Sequence, residues 1–263
     1  MATPALRVFA FLTRLDTSLF VFVSVFAPIY LGLGSAETAA RIALPLLPIC
    51  MCGFVLNNLH DVEKDRANHP ERPLPREEVT GAFSAGLFLV LLAAGLVSLK
   101  LLIPAENVFP YVLLLVAMIA YNHVVAYLTP LKNFVVAAAG VLPVAIVASE
   151  LPARFNAPQL MLATFLFLVC IEILSDIRDI RGDGPTLAKQ LGVTSAARVA
   201  FAALALSDAL LLFAAKSPLQ LGATLTFVAL DAIVAWFWFR GSDKRLLTRA
   251  LRVQAVASLV YLI

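Results

Sequence analysis

Two acidic strings stand against apolar segments in this chain: NNLHDVEKD at residues 57–65 and EILSDIRDIRGD at residues 172–183. On a helix turning about 100° per residue, Asn57, Asp61 and Asp65 share one face. Glu172, Asp176, Asp179 and Asp183 fall within roughly 40° of one line on such a helix. Like charges stacked this densely repel unless a cation lies between them. Carboxylate and amide oxygens are hard ligands, and at this density they suit Mg²⁺, which commonly bridges a few carboxylates to a substrate's phosphates. The expected chemistry is a metal-assisted reaction on a diphosphate.

The elements that must position these residues are membrane helices. The chain is 61% hydrophobic and 14% charged with a mean hydropathy of +0.92, well outside the range of soluble globular domains. Spanning-length apolar stretches are predicted near 16–34, 40–59, 81–103, 108–128, 134–149, 157–177, 195–214, 219–239 and 247–263, the fifth and ninth short. The expected fold class is all-α, a multi-span bundle of about nine transmembrane helices forming a single domain over residues 1–263. Pro45, Pro48, Pro110 and Pro143 fall in or near spans, where packed neighbours tolerate the lost hydrogen bonds. Of the 20 Lys and Arg residues, only Arg41, Lys100, Arg154 and Lys216 fall on one side of the nine spans, and the other sixteen fall on the opposite side. The positive-inside rule then puts the N-terminus and both acidic strings at the cytoplasmic face. A net charge of +3, with the basic residues spread over several loops, gives no footprint for nucleic acid. Cys50, Cys52 and Cys170 lie in apolar segments without finger or redox spacing and read as small core residues.

The string from Asn57 to Pro75, NNLHDVEKDRANHPERPLP, resembles the first signature of the UbiA superfamily of intramembrane prenyltransferases, N-x-x-x-D-x-x-x-D with an N-x-P-x-R-P tail. DIRDIRGD, Asp176 to Asp183, resembles that family's second motif, D-x-x-D-x-x-x-D. Thr186-Leu187 and Leu191-Gly192 look like the Thr-Leu and Leu-Gly that follow it, and Tyr127 to Lys132 looks like the family's Y-x-x-x-L-K. Nine helices is the family's architecture as well. Two departures stand out. Asn58 occupies a position where many members have Asp, and only Gly184 and Pro185 separate Asp183 from Thr186, a shortened loop.

The resemblance implies ionisation of an allylic isoprenyl diphosphate. Asp61, Asp65, Asp176, Asp179 and Asp183 would hold two Mg²⁺ ions, with Asn57 as a neutral oxygen ligand or supporting partner. Arg72, Lys132 and Arg14, a weaker match, are the candidate diphosphate clamps; Arg178 and Arg181 fall off the acidic face of a continuous helix and rank behind them. Tyr127 joins the catalytic set through its spacing to Lys132, while Asn58, Asn122 and Glu172 are candidate substrate contacts. The carbocation then needs a dry apolar pocket so that an acceptor, and not water, captures it. The expected partners are an isoprenyl diphosphate, a small acceptor, most often aromatic in this family, and membrane lipid. The alternative is a terpene cyclase of the same superfamily, in which the chain's own double bonds capture the cation; the shortened second loop is compatible with that. Asp208 and Asp231 fall inside spans, where a carboxylate needs a partner, and an interhelical hydrogen bond is the favoured account. His60, His69 and His123 have no ligand spacing and read as loop or packing residues.

Overall fold

The computed structural model describes residues 4–123, 131–151, 156–180 and 185–251, apart from 242, 245 and 249. Two compact units emerge: residues 1–126 with 181–183, and residues 127–180 with 184–263.

The first unit is built around a central helix. Helices α1 (Pro4–Leu12), α2 (Leu15–Leu33), α3 (Ala36–Ala43), α4 (Leu46–His60), α5 (Val62–Asn68), α6 (Gly81–Leu102) and α7 (Phe109–His123) follow one another. Ser35 and Thr80 cap the N-termini of α3 and α6, each accepting a hydrogen bond from a backbone N–H of the first turn. α4 carries buried Leu46, Ile49, Cys50, Cys52, Val55 and Leu56, and it packs against α2, α6 and α7. Gly53 lets α7 approach: a Cβ there would lie 2.2 Å from Met118 Cε and 3.1 Å from Met118 Cβ. The polar stretch after α5 is anchored by Leu74, which packs with Leu12 and Val55, so the R-P-L-P tail is tied down by its leucine. α6 exposes Phe83, Leu89, Val90, Leu96, Val97 and Leu101, the profile of a lipid-facing helix.

The second unit contains α8 (Leu131–Glu150), α9 (Ala157–Arg178), α10 (Leu187–Leu191), α11 (Val193–Ala214) and α12 (Pro218–Phe239). α9 is its core, with Cys170, Ile173, Leu174 and Ile177 buried against Ala196, Ala197, Ala200 and Leu204 of α11. The alanines keep the two helices close, the usual device where no water drives packing. Thr186 of the expected Thr-Leu pair is the N-cap of α10, its Oγ1 accepting from Lys189 N at 3.2 Å. Gly192 joins α10 to α11 at φ +78°, a conformation that favours glycine, which accounts for the Leu-Gly step.

Among the described residues, seven helical segments are long and apolar enough to cross a membrane, counting α3 and α4 as one, and α7 is a shorter apolar helix. These match eight of the nine expected spans. The fifth, expected to be short, is the 20-residue α8, and the ninth falls largely on residues outside those described. Pro45, Pro48 and Pro110 lie at the starts of α4 and α7, where the missing N–H is harmless; Pro143 and the unanticipated Pro28 lie inside α8 and α2.

Candidate active site

α4 does not run through the first acidic string. It ends at His60, and Asp61 leaves the helix at φ −91°, ψ 7° before α5 begins. The single continuous face expected for Asn57, Asp61 and Asp65 is therefore interrupted at its middle residue. The four-residue rhythm survives in hydrogen bonds. Asn57 Nδ2 donates to Asp61 Oδ2 at 3.0 Å, and Asp65 N donates to Asp61 O at 2.7 Å. Asn57 Nδ2 also donates to Asn122 Oδ1 at 3.1 Å, and Asn122 Nδ2 donates to Met118 O at 2.8 Å. With its nitrogen committed twice, Asn57 offers its amide oxygen as the remaining donor atom.

Each carboxylate of this string meets a cation. Lys64 Nζ donates to Asp61 Oδ1 at 3.0 Å. Arg72 Nη1 donates to both oxygens of Asp65, at 2.6 and 2.7 Å, with the carboxylate side chain only 7% exposed. Burial pushes the Asp65 carboxyl above its ordinary value; the Asp61 charge adds to that, while Arg72 and, more weakly, His69 oppose it. Arg72 was expected to face a diphosphate, and here it is the partner of the adjacent motif carboxylate. Arg14 holds a left-handed backbone conformation (φ 41°, ψ 59°) at the break between α1 and α2, and its guanidinium lies 5.2 Å from the Phe54 ring centroid.

Asn58 has a different duty from the substrate contact expected of it. It is buried, and its Nδ2 donates to Leu12 O at 3.0 Å and to Phe54 O at 2.8 Å, pinning α1 to α4. An Asp could not donate there, so the departure from the family pattern has a structural consequence.

The second string behaves alike within its own unit. α9 ends at Arg178, and Asp179 caps it at φ −100°, ψ 17°, so this string does not form one unbroken helix either. Lys132 Nζ donates to Asp176 Oδ1 at 2.7 Å, and Asn133 Nδ2 donates to Asp176 Oδ2 at 3.1 Å, all three residues buried. Arg178 grips Asp179 by two bonds, Nε to Oδ1 at 2.8 Å and Nη2 to Oδ2. The low rank given to Arg178 assumed a continuous helix, and the break at Asp179 removes that premise. Asn133 was not anticipated; its adjacency to Lys132 in sequence was the available signal. Glu172 is half-buried on α9 one turn before Asp176. Tyr127, Arg181 and Asp183 lie outside the described residues.

Both strings place carboxylates at helix C-termini, where the backbone dipole presents partial negative charge and favours cations, each such contact being worth about 0.3–1 kcal/mol at exposed sites. An acid there is disfavoured, which applies in full to Asp179 at the end of α9 and in part to Asp61, since Asp61 also begins α5 and Asp65 lies in the first turn of that helix. The donor set is carboxylate and amide oxygen, the hard set that Mg²⁺ takes together with water and phosphate. Among the described residues no three His, Cys, Asp or Glu side chains converge into a metal centre made of protein alone. That fits Mg²⁺, which is usually bound by one or two carboxylates with the substrate's phosphates completing the shell.

Two further groupings appear. His60 and His123, expected to be loop or packing residues, lie on the parallel neighbours α4 and α7 with ring centroids 4.6 Å apart. Asp208 of α11 and Asp231 of α12 are both buried, on helices that pack against each other.

The sequence profile of the UbiA prenyltransferase family matches residues 17–259. The chain belongs to this family. As a UbiA-family protein it resembles the digeranylgeranylglyceryl phosphate synthase of Thermococcus kodakarensis, 31% identical over 234 residues that cover 83% of this chain and 81% of the relative. Its fold matches a UbiA homologue from Aeropyrum pernix (TM-score 0.75, 20% identity, 92% of this chain and 96% of that one). It also matches a UbiA homologue from Archaeoglobus fulgidus solved with GPP and Mg²⁺ (TM-score 0.71, 14% identity, 97% and 98%). The UbiA-family chain is accordingly an integral membrane prenyltransferase with an all-helical fold.

Proposed function

We propose that this prenyltransferase moves an isoprenyl chain from an allylic diphosphate to the hydroxyl of a prenylated glyceryl phosphate. The observation that carries the reading is the pair of acid–cation sets at the ends of α4 and α9, Asn57–Asp61–Lys64 with Asp65–Arg72, and Lys132–Asp176–Asn133 with Arg178–Asp179. In the reaction the C1–O bond of the donor breaks, the acceptor oxygen bonds to C1, and its proton leaves with the released diphosphate. Asp61, Asp65, Asp176 and Asp179 act as the carboxylate ligands of Mg²⁺, with Asn57 supplying a neutral oxygen; Asp183 is proposed with them from its motif position. Mg²⁺, when bound, supplies positive charge that eases departure of the diphosphate. Arg72, Lys132 and Arg14 are the cations in reach of phosphate oxygens once carboxylates turn to the metal. Tyr127, Asn122 and Glu172 are proposed as neighbours of the substrates.

The acceptor class rests on the relatives. Digeranylgeranylglyceryl phosphate is a glyceryl phosphate bearing two geranylgeranyl chains, and a prenyltransferase reaches it by adding a chain to the singly prenylated compound. This favours an anionic lipid acceptor over the aromatic ring expected from the wider family, and a transferase over a cyclase. The excess of Lys and Arg, sixteen against four, supports an N-terminus and acidic motifs at the cytoplasmic face.

The test is product analysis by purified protein with Mg²⁺ and geranylgeranyl diphosphate. Three arms contain geranylgeranylglyceryl phosphate, an aromatic hydroxy acid, or no acceptor. A doubly prenylated glyceryl phosphate is expected. A prenylated aromatic ring, or a cyclic terpene formed without acceptor, would overturn the assignment.

A further inference from the structure

The histidine pair is the feature that the diphosphate chemistry does not use. α4 and α7 run parallel: Gly53 meets Met118, Asn57 bonds Asn122, and His60 meets His123 in the same order along both helices. His60 is the last residue of α4, His123 is the last described residue of α7, and both are exposed. His60 Nδ1 lies 3.0 Å from Leu56 O, and His123 Nδ1 lies 3.0 Å from Ile119 O. A carbonyl oxygen only accepts, so in both rings Nδ1 is the protonated nitrogen. Each neutral ring therefore carries its lone pair on Nε2, which makes no hydrogen bond among the described residues. An imidazole whose N–H is held by a backbone carbonyl is the usual arrangement of a metal-ligating histidine, because that bond fixes tautomer and orientation.

The surroundings favour a cation. α4 ends at His60, contributing partial negative charge there, and the Asp61 carboxylate follows directly. The Asn57–Asn122 hydrogen bond locks the two helices together one turn below, so the rings are held in register. Two imidazole nitrogens at about 2.0–2.1 Å from one tetrahedral ion stand about 3.4 Å apart; the two rings lie 4.6 Å apart between centroids with an interplanar angle of 65°. Imidazole nitrogens select borderline ions such as Zn²⁺, Co²⁺ and Ni²⁺, whereas the aspartate sets take hard Mg²⁺.

We propose that His60 and His123 form a two-histidine site for a borderline divalent transition-metal ion, completed by water and distinct in ligand chemistry from the carboxylate sets. The site stands on the geometry of α4 and α7 and does not rest on the prenyl-transfer reading.

The experiment titrates the purified protein with Co²⁺ under saturating Mg²⁺, which occupies the oxygen ligands, and reads the visible absorption of the bound Co²⁺. One Co²⁺ per chain is expected, displaced by Zn²⁺ and weakened at least ten-fold in both His60→Gln and His123→Gln. An unchanged isotherm in either variant, or no spectral change in the wild type, overturns the site. A second readout needs no variant: Zn²⁺ should protect His60 and His123, but not His69, from carbethoxylation by diethyl pyrocarbonate, read by mass spectrometry. Equal labelling of the pair with and without Zn²⁺ overturns the proposal as well.

Discussion

Lys132→Met is the sharpest perturbation of the second acid set. Lys132 and Asp176 are 10% and 9% exposed at the side chain and 2.7 Å apart, so removing the ammonium strands a buried carboxylate with only the Asn133 amide, 3.1 Å away, to solvate it. Breaking a buried ion pair from one side typically costs about 3–5 kcal/mol, most of it the unpaired charge that remains. For a chain of this size, at about 2–4 °C per kcal/mol, Tm should fall by roughly 6–20 °C. The protein carries its own reporter: Cys50, Cys52 and Cys170 are free and buried, so a thiol-reactive fluorophore in detergent registers unfolding as they emerge. Asp176→Asn added to Lys132→Met removes the stranded charge while leaving an acceptor for Asn133, and should recover most of the loss. Millimolar Mg²⁺ should raise Tm of the single variant more than that of the wild type, since a divalent ion can take the place of the missing ammonium. A single variant within 2 °C of wild type, given a resolution of about 1 kcal/mol, or a double variant no more stable than the single, would refute the reasoning.

Asn58→Asp should lower Tm without touching the acid sets, because a carboxylate cannot donate to Leu12 O and Phe54 O; the expected cost is about 1–3 kcal/mol, checked by the same thiol assay. Asp208→Leu should destabilise more than Asp208→Asn, since an amide keeps polar atoms at a buried site on α11 that packs against α12, where Asp231 is also buried; equal effects of the two, by the thiol assay, would count against an interhelical hydrogen bond. Asp65 carries a carboxyl raised by burial, so its contribution is fully present below the ordinary value of 3.8 and is lost as pH rises through the folded value. Asp65→Asn should flatten that part of the Tm–pH profile measured in EDTA, and a steeper slope would contradict the sign. Gly53→Val should push Met118 and α7 away, weaken the Asn57–Asn122 bond and reduce prenyl transfer; unchanged turnover would show that this close approach is dispensable.

The helices were legible because their signal is local and strong: an apolar run of spanning length needs no partner to be recognised. The aspartates were legible because carboxylates beside such runs are rare. What the sequence concealed were the ends of helices. Periodicity across 57–65 and 172–183 continues smoothly, but Asp61 and Asp179 leave helical geometry, and nothing in residue spacing marks that step. The low rank of Arg178 rested on that continuity, whereas its two bonds to Asp179 form where α9 stops between them. Contacts between helices were hidden in a second way. Asn57 with Asn122 and His60 with His123 are separated by more than sixty residues, and only the close approach at Gly53 brings them together. Asn58 shows the converse: its place in a motif pointed to substrate, while its two donors were needed by the α1–α4 packing.

The placement of the acids at helix C-termini carries the functional argument further than their number does. At the N-terminus of α9 an acid would be held at a gain, whereas Asp179 is held at a loss, and Asp61 is set against the negative pole of α4 even as it begins α5. Here Asp61 and Asp179 cap the negative poles of α4 and α9, and each of the four described aspartates has recruited a lysine or arginine. Ion pairs of this kind are exchangeable in a way that apolar packing is not. A carboxylate can release an ammonium for Mg²⁺, and the released ammonium or guanidinium is then free for phosphate oxygens. On the proposed reading the same residues would form an ion-paired resting network and, with partners exchanged, a set of anions for the metal and a set of cations for the diphosphate. The arrangement predicts an asymmetry: Asp61→Asn or Asp179→Asn, which relieves charge at a helix C-terminus, should abolish turnover while sparing or raising stability, whereas Lys132→Met, which strands a buried carboxylate, should reduce both. Asp61→Asn compared with Lys132→Met, by turnover and by Tm on the same preparations, decides it; parallel loss of stability in the two would mean that the acids are held for the fold and not for the reaction.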